Sequence, residues 1–189
     1  MIIASQNLAN FDISLPTEVI FRINLAWIDN LEKLKNILKK YEKHQIFLDL
    51  PRNRTKPPNN KYSIDELEPI LKSFKNIKFL AISNIDSSND LEPFLKIISN
   101  DCIIVPKIES PSAVKNIEEI SNLLGSKKII MLDHDDLYSS ILKLNENTEN
   151  FQKYIKILND YCNVHKIILL RTVGVIFSDD EKRISDYVK

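Results

Sequence analysis

The sequence predicts a parallel α/β fold, and two observations carry that prediction. Short β-branched apolar runs alternate along the chain with longer segments of helical period, and the runs are apolar almost throughout rather than at every second residue. Near-continuous apolar character is what a strand needs when both faces of its sheet are covered, whereas a half-exposed antiparallel strand would alternate. Repeated strand–helix alternation then implies parallel strands joined by right-handed crossovers. Periodicity alone leaves an open doubly wound sheet and a closed barrel as alternatives.

The first run spans 19–24, and after it Leu31, Leu34, Leu38 and Tyr41 recur at helical spacing. The second run, 46–50, leads into a Pro/Asn-rich loop over 51–60, at the end of a strand where α/β proteins build sites. Ser63-Ile64-Asp65-Glu66 is a capping-box pattern that opens a helix with Leu67, Ile70, Leu71 and Phe74 on one face. Runs at 77–82 and 102–105 follow. Ser110-Pro111 then places proline at a first helical position, Val114, Ile117, Ile120 and Leu124 share a face, and Gly125 stands where a C-cap glycine would. The run 128–132 precedes a helical face of Phe151, Ile155, Leu158 and Cys162, and the last run is 166–170. A second capping-box pattern, Ser178-Asp179-Asp180-Glu181, opens the final helix. No linker, repeat or low-complexity tract divides the chain, so one domain over 1–189 is expected.

Composition narrows the function classes. The 26 basic and 26 acidic residues balance, which argues against nucleic acid and against an anionic membrane surface as partners. No apolar run approaches the roughly 20 residues needed to span a bilayer, and the N-terminus lacks the basic start and apolar stretch of a secretory signal. Cys102 and Cys162 lie in apolar surroundings, as buried free thiols of a cytoplasmic protein would. Only two glycines, Gly125 and Gly174, are present, so a Gly-rich phosphate cradle cannot be built.

The polar residues that carry chemistry end the predicted strands: Arg22 and Asn24, Asp49, Ser83 and Asn84, Lys107 and Glu109, Asp133 to Asp136, and Arg171 and Thr172. A charge at the end of a buried strand is costly unless paired or metal-bound. Singly, each has a bland reading: Arg22 paired with a neighbouring carboxylate, Asp49 a cap or loop anchor, His134 a satisfied hydrogen-bonding residue, Asp133 to Asp136 a solvated helix N-terminus. Glu109 and Asp136 together are more informative, because two carboxylates from adjacent strand ends suit a hard divalent cation such as Mg²⁺.

At these residues the sequence resembles pyruvate kinase. Val105-Pro106-Lys107-Ile108-Glu109 through Val114, with Asn116 to Ile120, is similar to the family segment K-I-E-x-x-x-x-V-x-N-x-x-E-I, and Ile130 to Leu137 resembles I-M-V-A-R-G-D-L-G. Arg22-Ile23-Asn24 is similar to R-L-N, Leu48-Asp49-Leu50-Pro51 through Arg54-Thr55 to L-D-x-x-G-P-x-I-R-T, Phe79 to Ser83 to I-A-L-S-F, and 166–172 to K-P-V-I-V-A-T. Arg183 to Val188 echoes a further helix of that family. The resemblance implies a (β/α)-barrel of the TIM type, incomplete or irregular at its first and last strands: either 1–4 or 173–177 supplies an irregular closing piece, or the sheet stays open and is covered by another subunit. It implies Glu109 and Asp136 as Mg²⁺ ligands, Lys107 as the group that stabilises an enolate, and Thr172 as a catalytic threonine. Arg22 would clamp a phosphate or carboxylate, with Asn24, Asp49 and Ser83 also in the substrate region.

R-x-N, P-x-I-E and D-L also occur in the citrate lyase β-subunit and dihydroxy-acid aldolase group, which shares the barrel and its metal carboxylates. The chain departs from pyruvate kinase in lacking the lid domain after the Asp49 strand and the C-terminal effector domain. Ala26 and Leu50 remove oxygen donors from the monovalent-cation site, and Asp135 replaces a glycine. The expectation is a Mg²⁺-dependent phosphotransferase or aldolase/lyase acting on phosphoenolpyruvate, pyruvate or a related 2-oxo acid, with a homo-oligomer as one assembly open to it. The alternative is a non-catalytic binding or assembly protein on a decayed kinase-like barrel.

Overall fold

A computed structural model describes residues 3–5, 16–54, 57–99 and 101–171. The chain divides into two compact units, one of residues 1–83 and 92–104, the other of residues 84–91 and 105–189.

The first unit holds β1 (Ile3–Ser5), β2 (Ile20–Asn24), α1 (Leu31–Lys40), β3 (Ile46–Leu50), α2 (Ile64–Ser73), β4 (Ile77–Ile82) and a short α3 (Glu92–Leu95). Its strands pair parallel and in sequence order. All five residues of β3 are buried, Asp49 included, as a strand covered on both faces requires. Leu34 and Leu38 of α1 and Leu67, Ile70 and Leu71 of α2 are buried, which is the face the helical spacing marked. Asn30 caps α1 through its Oδ1, which accepts from the Lys33 N–H at 2.8 Å. Ser63 and Glu66 form the expected capping box: the Glu66 N–H donates to Ser63 Oγ at 3.2 Å, and the Ser63 N–H donates to Glu66 Oε2 at 2.8 Å. The loop from 51 is tied back by its distal end, where Asn60 Nδ2 donates to the Ala26 carbonyl at 2.9 Å and the Tyr62 hydroxyl to that of Ile28 at 2.6 Å.

The fifth strand, β5 (Ile103–Ile108), enters the second unit at Val105. There follow α4 (Pro111–Lys115), α5 (Ile117–Asn122), β6 (Ile129–Leu132), α6 (His134–Lys143), α7 (Asn150–Val164) and β7 (Ile168–Arg171). β6 pairs parallel with β5 and with β7. Phe151, Ile155, Leu158 and Cys162 form the buried face of α7, as the spacing indicated, joined by Tyr154.

Three expectations are corrected. The TIM-type barrel does not form: the described residues give seven strands in linear order, with β1 and β7 as its ends, where a closed barrel of that type needs eight. The end strands are short, three and four residues, and β7 is only half-buried, with Ile168 45% exposed. Segment 1–4 does contribute a strand, but a regular parallel one at Ile3–Ser5, and 173–177 lies outside the described residues. The helix expected through Val114 and Leu124 is broken at Asn116 into α4 and α5. Gly125 is consequently no C-cap: α5 ends at Asn122, Leu123 caps it, and Gly125 does not take a positive φ. No helix among the described residues is long and apolar enough to cross a membrane.

Candidate metal centre

Strand geometry sets the centre up. Lys107 and Glu109 are two residues apart at the end of β5, so their side chains leave the same face. Lys107 is the register partner of Met131 and Ile108 of Leu132. Continued one step, that register brings Asp133, the residue after β6, beside Glu109, and the Asp133 N–H reaches the Ile108 carbonyl at 3.4 Å. Asp133 also caps α6, its Oδ1 accepting from the Asp136 N–H at 3.3 Å, which holds Asp136 in the helix's first turn.

Glu109, Asp133 and Asp136 thereby offer carboxylate oxygens that all lie within 4.8 Å of one another. They are graded in exposure: Glu109 is buried, Asp133 half-buried and Asp136 exposed. Lys107, 5% exposed, stands among them, with Nζ 2.8 Å from Glu109 Oε1 and 3.7 Å from Asp133 Oδ2. Burial pushes the Glu109 carboxyl up to about 7, the Lys107 ammonium draws it down, and the Asp133 charge pushes it up. Its Oε2 accepts a hydrogen bond from the Asn84 N–H at 2.7 Å. Oε1 is fully buried and makes no hydrogen bond of good geometry, its contact being the ion pair with Lys107. Three carboxylates offering hard oxygens this close together fit an oxygen-seeking divalent cation.

Of the site residues expected from the sequence, Lys107, Glu109 and Asp136 are brought together here. Asp133 joins them as a third carboxylate; the sequence placed it at a strand end, and only the β5–β6 register reveals that it faces Glu109. The run Asp133 to Asp136 is at the same time the N-terminus of α6, the bland reading of that segment, with Asp135 exposed. His134 turns away from hydrogen bonding: its Nδ1 is buried without a partner, and its ring meets that of Phe151 edge-on at 6.3 Å. Burial and the Arg171 charge hold its pKa below the ordinary imidazole value, against the opposing charges of Asp133 and Asp135.

Arg22, Asn24, Asp49 and Ser83 belong to the first unit, at the carboxyl ends of β2, β3 and β4. Arg22 pairs with Asp49, its Nε 3.0 Å from Oδ2 and its Nη2 in contact with the same oxygen. That ion pair satisfies a carboxylate 1% exposed. Asn24 is Asp49's register partner, and its Oδ1 accepts from the Ala26 N–H at 2.9 Å, capping the 3-10 turn Leu25–Trp27. Ser83 is buried, with its N–H on the Leu50 carbonyl at 3.0 Å. Thr172 lies outside the described residues.

No family model matches the chain, and no curated protein matches it. Solved structures do. RipC from Yersinia pestis superposes with a TM-score of 0.60 at 13% identity, over 85% of this chain and 72% of that one. Citrate synthase SbnG superposes with a TM-score of 0.58 at 14% identity, over 91% of this chain and 72% of that one. The chain shares their fold. At these identities the likeness is one of architecture, and the chemistry rests on the residues of the centre itself.

Proposed function

We propose that the chain is a divalent-cation-dependent enzyme that works on a 2-oxo acid through its enolate, in carbon–carbon chemistry rather than phosphoryl transfer to a nucleotide. The observation that carries this reading is the convergence of Glu109, Asp133 and Asp136 around the buried Lys107 ammonium. The three carboxylates would hold the cation, and Mg²⁺ is the proposed ion because the donor set is all oxygen. Bound there, such an ion supplies Lewis-acid polarisation of a substrate oxygen.

The chain's own residues supply the rest. Lys107 presents a positive charge from a buried position, where it acts on a developing enolate oxygen far more strongly than it would in water. Glu109 is fixed by the Asn84 N–H on one oxygen, and Asp133 orders Asp136 by capping α6. One fold neighbour is a citrate synthase, which supports carbon–carbon chemistry over phosphoryl transfer. So does the join between β3 and α2, a loop where pyruvate kinase carries a lid domain.

The reading is tested by giving the purified protein Mg²⁺ with pyruvate and an aldehyde, and separately labelled phosphoenolpyruvate with ADP. An aldol product in the first mixture, abolished in Lys107→Ala, is the expected result. Phosphoryl transfer in the second would replace this reading with the kinase one, and turnover in neither would sink both.

A further inference from the structure

The segment that supplies the Asn84 N–H is itself held in place by three cross-links outside the centre, one of them from Asn116. Asn84 adopts a left-handed backbone conformation, φ 54°, which asparagine tolerates better than other residues with a side chain. That conformation aims its N–H at Glu109 Oε2. Beyond it, Asp86 accepts two bonds from outside the segment: its carbonyl from Asn116 Nδ2 at 2.8 Å, and its carboxylate from the Ser110 hydroxyl. The Ser88 N–H donates to Glu119 Oε1 at 3.0 Å. Asp90 closes the segment on itself, Oδ2 accepting from the Asp86 and Ser87 N–H groups, both at 3.0 Å. Asn116 is also the residue at which α4 and α5 break, with φ −95° and ψ 14°. A continuous helix would carry its side chain elsewhere.

We infer that Asn116 is a positioning residue: by holding the Asp86 carbonyl it sets the 84–88 segment so that the Asn84 N–H fixes one oxygen of Glu109 while the other faces Lys107. The structural link stands on the hydrogen bonds alone; its consequence for cation binding rests on the function proposed above. Groups that orient a metal ligand from outside typically alter affinity by about 10- to 100-fold when removed.

The test uses the full chain labelled with ¹⁵N, and Asn116→Asp, which keeps the shape of the side chain and removes its donor. In the wild type the Asn84 amide, bonded to Glu109 Oε2 at 2.7 Å, is expected to be protected from hydrogen exchange. Asn116→Asp is expected to speed that exchange at least about tenfold, and to weaken Mg²⁺ binding, measured by calorimetry, by about tenfold. A role in packing alone would leave both as they are in wild type, and an unchanged Asn84 exchange rate in the folded variant overturns the proposal. If Asn116→Asp folds poorly, Asn116→Ser carries the test: it withdraws the donor from the Asp86 carbonyl without adding a charge, and an unaffected Asn84 amide there likewise refutes the inference. Wild-type protein that binds no Mg²⁺ would refute the metal reading, while the exchange result still decides the positioning role.

Discussion

Lys107 and Glu109 illustrate how a costly arrangement is made tolerable at the level of single residues. Each is buried and charged, which neither would tolerate alone, and each is the other's principal counter-charge. Arg22 and Asp49 repeat the device in the first unit, with the carboxylate the more deeply buried partner. Removing Arg22 takes a counter-charge from that buried carboxylate, so Arg22→Ala should lower unfolding free energy by about 3 kcal/mol, read as a lower urea midpoint at unchanged slope. A loss under about 0.5 kcal/mol, the level of an ordinary surface substitution, would mean that water already satisfies Asp49.

The thiols give a pH prediction at the same scale. Burial pushes both Cys102 and Cys162 up to about 11 from an ordinary 9.0, opposed by the Lys78 charge at Cys102 and the Arg171 charge at Cys162. Because the thiolate is the nucleophile, alkylation by iodoacetamide at pH 8.5 should be slower by roughly two orders of magnitude in the folded protein than in urea. The sign for stability follows. The folded state holds these protons more tightly than the unfolded one, so their contribution is fully present below pH 9 and falls as pH rises from about 9 toward 11. Alkylation at the free-thiol rate in native buffer would contradict the burial of both groups.

At the scale of elements, local rules explain most starts and fewer stops. The capping box at Ser63 and the N-cap at Ser110 followed by Pro111 were legible because side-chain type and spacing alone specify them. Ser63→Ala should therefore destabilise the protein by about 1 kcal/mol, again measured by urea unfolding, and no change would show that α2 owes its start to packing alone. The break at Asn116 was not legible. Val114, Ile117 and Ile120 keep helical spacing across it and all are buried, so the apolar pattern reads as one helix. At the break Asn116 bonds a carbonyl 30 residues upstream, and no local pattern encodes such a partner. Gly125 misled for the same reason: once α5 stops at Asn122, the glycine falls beyond the cap.

For the molecule as a whole, the parallel α/β class could be read from the continuous apolar strands, because burial on both faces leaves that mark in composition. Closure could not, since strand count and the covering of the end strands depend on segments with weak patterns, and the sheet order is linear where a barrel was expected. The candidate centre was partly legible. Lys107, Glu109 and Asp136 stood out through motif resemblance, whereas Asp133 and the Asn84 backbone emerge only from register and from a left-handed turn.

The central claim is that these carboxylates bind a divalent cation. Titrating Mg²⁺ into the metal-free protein by calorimetry, alongside Glu109→Gln and Asp136→Asn, tests it most directly. One ion per chain is predicted for the wild type, with affinity reduced at least about tenfold in each variant. Absent binding, or binding that neither substitution alters, would contradict the account.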